Sequence, residues 1–144
     1  MFGKIFGKKT GQARAAVSKL ANRDLMEAVV YGAFYTACAD GDLEDSELKA
    51  IETILGNNPA LQGFGAELSN TIDRAKTDFK SGPRILRQNA EKELADLAHS
   101  PQEALTVLNV MLTVAEADGE IEPAEMVALE RSAKLLGLNL KDHL

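Results

Sequence analysis

The sequence predicts an all-α fold: a single compact bundle of about seven helices with an internal pseudo-two-fold duplication of a helix, Asp-Gly loop, helix unit. Three observations lead there. Hydrophobic residues make up 45% of the 144 positions and aromatics only 5%, while Ala and Leu recur throughout, a balance that suits packed helices better than sheets. Apolar residues recur at helical spacing along most of the chain. Finally, one stretch matches another at a fixed offset of 78 residues.

The first 12 residues carry Gly3, Gly7 and Gly11 and are expected to be a flexible basic segment. The helical domain then spans residues 13–144, the size of one ordinary domain. Ala13, Ala16, Val17 and Leu20 predict a short helix, and Leu25, Val29, Ala33, Phe34 and Ala37 a longer, buried one from about Asp24 to Ala39. Asp40-Gly41 ends it, because Gly just past a helix takes the left-handed conformation cheaply. A third helix runs from about Asp45 to Leu55, with Leu48, Ile51, Ile54 and Leu55 inward, and stops at Gly56-Asn57-Asn58-Pro59. Further helices are expected at about Gly65 to Phe79, Arg84 to Ala98, Gln102 to Ala117 and Pro123 to Leu136, with a last turn at Leu140 to Leu144. Ser81-Gly82-Pro83 and Ser100-Pro101 separate them, Ser100 being a suitable N-cap before Pro at the first helical position.

The offset match aligns Ala37 to Glu52 with Ala115 to Glu130 without a gap, eight of 16 positions being identical. The identities include Asp40/Asp118, Gly41/Gly119, Glu44/Glu122 and Glu47/Glu125. The repeat units extend over about 24–56 and 102–137.

Charge is distributed unevenly. Residues 1 to 23 hold six basic side chains and no acidic one, so the remaining body carries 10 basic against 22 acidic residues, or −12. Such a surface repels phosphate backbones and attracts cations or basic partners, which argues against nucleic-acid binding. The single Cys38 excludes an intrachain disulfide framework and fits a cytoplasmic setting. No run approaches the roughly 18 apolar residues of a spanning helix. Contact with a membrane is therefore expected only from its surface, through Phe2, Ile5 and Phe6 with Lys4, Lys8 and Lys9 near anionic head groups; the same segment suits docking to a partner.

The two loops carry the candidate chemistry. They read Asp40-Gly41-Asp42-Leu43-Glu44-Asp45-Ser46-Glu47 and Asp118-Gly119-Glu120-Ile121-Glu122-Pro123-Ala124-Glu125. An acid before Gly, an aliphatic residue two after it and Glu six after it match the second half of an EF-hand loop, whose oxygen ligands suit calcium. The first half is incomplete, since the positions that should be acidic are Thr36 and Cys38 in one copy and Val114 and Glu116 in the other, of which only Glu116 is an acid. The candidate metal ligands are therefore Asp40, Asp42, Glu44 and Glu47 with Asp118, Glu120, Glu122 and Glu125, acting as two half-sites or as a shared face. The same residues also suit plain fold punctuation, the glycines as helix stops and Glu47 and Glu125 as third-position acids of capping boxes. The excess acids exceed what capping needs, and clustered carboxylates repel unless neutralised.

This duplicated Ala-x-Ala-Asp-Gly loop resembles that of the TerB family of tellurite-resistance proteins. Lys19 to Gly41 is similar to the family's first long helix and loop, and Ala115 to Leu138, with its closing Leu-Gly-Leu, to the second. The resemblance implies an all-helical bundle of about seven helices, an acidic face with divalent-cation affinity, and a role in tellurite and stress resistance beside membrane-bound partners. It transfers the loop acids to Asp40, Glu44, Glu47, Asp118, Glu122 and Glu125. Positions 44 and 122 are Glu where the family often has Ser or Asp, and the linker Gly56 to Gly65, rich in Gly, Asn and Pro, is not matched to the family's pattern. Members also occur in phage genomes. A metal-independent scaffold binding another protein through the acidic face is the competing expectation.

An enzyme is not expected. His99, near a helix end, and His143, near the C-terminus, belong to no His/Cys ligand cluster or triad motif, and no phosphate-binding Gly loop or Cys-x-x-Cys occurs. Cys38, Tyr31, Phe34 and Tyr35 are expected in the core and at its rim.

Overall fold

The computed structural model describes residues 23–117 and 119–144. Within them the chain forms six α-helices and no strand: α1 (23–37), α2 (Asp45–Gly56), α3 (Ala66–Ser81), α4 (Pro83–Ala95), α5 (Pro101–Glu116) and α6 (Pro123–Leu135). Short 3-10 turns lie at Pro59–Leu61 and Leu140–His143. The helix expected at 13–20 and the segment 1–12 lie outside the described residues.

Two helices are buried on nearly every side. In α1, Met26, Ala28, Val29, Val30, Tyr31, Ala33, Phe34 and Ala37 are all buried, and α5 buries Val107, Leu108, Val110, Met111, Leu112, Val114 and Ala115. They meet closely at Gly32, where a Cβ would stand 3.0 Å from Met111 Cγ and 3.4 Å from Val107 Cγ1. The other helices bury one stripe each at helical spacing: Ile51 and Leu55 in α2, Leu86, Ala90 and Leu94 in α4, Ala128, Leu129, Ser132 and Ala133 in α6. Of the four α2 residues expected inward, Leu48 and Ile54 are only half-buried. Packing joins α3 to α4, α4 to α6, and both α2 and α6 to α5.

Helix ends differ from expectation where tight turns replace the last α-turn. The first long helix stops at residue 37 rather than 39, and Cys38 sits, buried, in the turn that follows. After α4 the chain continues through three-residue bonds, Leu97 N–H to Leu94 O at 3.0 Å and Ala98 N–H to Ala95 O at 3.2 Å. Ser100 takes the N-cap position of α5, although its side chain makes no capping bond. Behind α6 the Leu-Gly-Leu forms a Schellman end: Gly137 N–H reaches Lys134 O at 3.1 Å and Leu138 N–H reaches Ala133 O at 2.8 Å.

Candidate functional site

The first loop is shaped by its own acids. Gly41 N–H donates to Cys38 O at 2.9 Å, and Gly41 has φ of 85°, a conformation that L side chains adopt only with strain. Asp40 Oδ1 accepts from the Asp42 N–H at 3.1 Å, an Asx-turn, and Asp42 Oδ1 accepts from the Leu43 N–H at 2.9 Å. Leu43 turns inward while Glu44 holds the extended N-cap position of α2, and Glu47 Oε1 accepts from the Glu44 N–H at 3.2 Å. The second loop has matching geometry in its described part. Gly119 has φ of 101°, its N–H donates to Glu116 O at 3.0 Å, and Glu125 Oε1 accepts from the Glu122 N–H at 2.9 Å. The N-cap angles agree closely, φ −77° and ψ 155° at Glu44 against φ −71° and ψ 155° at Glu122. Asp118 lies outside the described residues, as do Phe2, Lys4, Phe6, Lys8 and Lys9.

Glu47 and Glu125 line the same cavity. It has a volume of about 220 Å³, and Ala37, Ser46, Ala50, Val114 and Ala117 complete its wall. The corresponding third-position glutamates of α2 and α6 thus converge beside the end of α5. Burial raises the Glu47 pKa, and repulsion from Asp40, Glu44 and Asp42 adds to it, against the lowering effect of the Glu44 N–H. Burial, with the same acids nearby, pushes the Cys38 thiol up to about 12, so it is no ready nucleophile. Asp40, Asp42, Glu44, Glu120 and Glu122 face solvent rather than the cavity. Among the described residues, no group of three or more His, Cys, Asp or Glu stands close enough to hold an ion.

A polar network behind α1 has no counterpart in the sequence motifs. Tyr31 Oη donates to Asp78 Oδ2 at 2.6 Å and accepts from Arg74 Nε at 3.1 Å, while Asn89 Nδ2 donates to the same Asp78 oxygen at 2.9 Å. Burial and that Asp78 bond push Tyr31 up to about 12. Glu27 pairs with Arg23 at 3.2 Å and Arg74 at 3.7 Å. Glu93 hydrogen-bonds to Glu27, and its pKa is raised to about 7 by burial first, then by Glu27 and Asp96, with Arg74 opposing. Apart from the Arg23–Glu27 pair, spaced i,i+4 on α1, these partners come from separate helices, so no local spacing announces them; the other sequence sign is Glu93 flanking the buried Ala90 and Leu94 stripe.

Among the described residues, no helix is long and apolar enough to cross a membrane. Comparison with curated proteins and with solved structures gives no match. A family model described as Tellurite resistance protein TerB matches residues 26–143, from the first turn of α1 to the final 3-10 turn. The match takes in both Asp-Gly loops and the cavity between them, and the chain belongs to the TerB family.

Proposed function

We propose that this chain is a non-enzymatic accessory protein of tellurite and stress resistance, acting in the cytoplasm, whose two acidic loops cooperate in binding one divalent cation. The observation that carries this reading is the convergence of Glu47 and Glu125 on a single cavity. Each half-site lacks part of a calcium loop, and joining them supplies carboxylates from both. Repulsion from Asp40, Glu44 and Asp42, which adds to the effect of burial in raising the Glu47 pKa, is the part that a bound cation would relieve. Calcium suits an oxygen donor set begun by Glu47 and Glu125 and completed by water, with the solvent-facing Asp40, Asp42, Glu44, Glu120 and Glu122 adding negative potential around it. The match at an offset of 78 residues supports a duplicated origin with the two units about a pseudo-two-fold axis.

A calcium titration followed by amide NMR tests binding and location together. Saturable shifts are expected at both loops, with a higher melting temperature by linkage, and both effects are expected to vanish in Glu47→Gln/Glu125→Gln. No response at millimolar calcium, or an equal response in that variant, would reject the cation site. A second reading has its own support, since Asp42, Glu44, Asp45, Glu120 and Glu122 are exposed and suit a basic partner. Partner capture that survives chelator but is lost on charge reversal at the loops would select that metal-independent scaffold instead.

A further inference from the structure

On the other side of the first loop lies a groove of about 240 Å³ whose character is opposite to that of the acidic face. Arg84 and Arg87 of α4 and Arg131 of α6 line it, together with Tyr35, Leu86 and Val127. Arg84 and Arg87 stand three apart on one helix, where side chains are neighbours. Neither forms an ion pair among the described residues. Arg131 grips Glu91 with Nε at 2.7 Å and Nη2 at 3.2 Å, and Tyr35 Oη donates to the same carboxylate at 3.4 Å. Of the three arginines, only Arg131 is ion-paired among the described residues.

Guanidinium forks match the geometry of phosphate and carboxylate oxygens. The rest of the wall is apolar, with Val127 65% exposed at its rim, which leaves surface for an apolar body to cover. The volume falls below the roughly 300–1,000 Å³ of pockets that take drug-sized ligands. Polyanions are disfavoured because the surrounding body carries −12 and repels them at a distance. We propose that this groove binds a small organic anion, a phosphate or carboxylate group carried on an apolar body, with Arg84 and Arg87 holding the anionic end. The site is separate from the cavity of Glu47 and Glu125 and does not depend on cation binding there.

Titration of the full chain with phenyl phosphate, benzoate and inorganic phosphate, followed by amide NMR, tests this. Saturable shifts are expected at residues 35–41, 83–87 and 124–131, with phenyl phosphate or benzoate at least about tenfold tighter than inorganic phosphate because the ring covers apolar surface. The tighter of the two aromatic probes identifies the anionic group preferred. Arg84→Gln/Arg87→Gln is expected to weaken binding by about tenfold or more. Lys80→Gln/Lys134→Gln, with the same change in net charge outside the groove, is expected to leave affinity within about twofold, since screening limits distant charges. Shifts that never saturate or that scatter over the surface, affinity unchanged in the arginine variant, or equal losses in both variants would overturn the proposal.

Discussion

Ser132 Oγ is fully buried and has no hydrogen-bond partner among the described residues. Its isolation contrasts with Thr36, Thr53, Thr71, Thr77, Ser81, Thr106 and Thr113, whose hydroxyls each donate to the carbonyl four residues earlier. An unsatisfied buried hydroxyl costs about 1–3 kcal/mol of desolvation. Ser132→Ala is accordingly expected to raise stability by about 1 kcal/mol in urea unfolding, and a loss of that size would show that the hydroxyl has a partner after all. Single residues were legible in the sequence where their work is local. Gly41, Glu47 and Glu125 announce their turns and caps through neighbours three to six positions away. Tyr31 and Asp78 are 47 residues apart, and nothing in either local stretch points to the other. The same holds for the pairing of Arg131 with Glu91 across 40 residues.

Helices were legible because apolar spacing is written into each of them, and the stripes of α2, α4 and α6 follow it. Their ends were less so. A 3-10 turn and an α-turn need similar residues, so the stretch after α4 reads as helix in sequence although its bonds have tightened. Nor does periodicity distinguish a helix buried on one face from one buried on nearly all, as α1 and α5 are. Their close crossing is set by the missing side chain at Gly32. Gly32→Leu is expected to cost about 2 kcal/mol through overpacking against Met111 and Val107, read as a lower urea midpoint with helical circular dichroism retained. An unchanged midpoint would mean that α1 and α5 can separate without penalty.

For the molecule as a whole, the fold class followed from composition, spacing and the repeat, whereas the meeting of Glu47 and Glu125 required the packing of α2 and α6 on α5. The groove of arginines needed the same long-range packing, here between α4 and α6. The global stability also carries a pH signature through Glu93. Folded, this carboxyl keeps its proton to about pH 7, against an ordinary value of 4.5. The folded state therefore binds more protons between those values, and stability falls as pH rises through that window. Glu93→Gln, which can still donate to Glu27, is expected to flatten this fall and to stabilise the protein by about 1 kcal/mol at pH 8, the full conversion being reduced because the group is only half-buried. Melting curves at pH 4 and pH 8 check it: near-equality at the lower pH and a gain at the higher are expected, and parallel profiles would refute the assignment.

The paired glutamates have one more consequence, which follows from where their helices begin. Glu47 and Glu125 stand in the first turns of α2 and α6, ends where aligned peptide dipoles concentrate positive partial charge. A cation between them is attracted by the carboxylates and opposed by both helix fields at once. Occupancy of the proposed cation site is then expected to be weak and quickly exchanged, rising and falling with the ambient ion concentration.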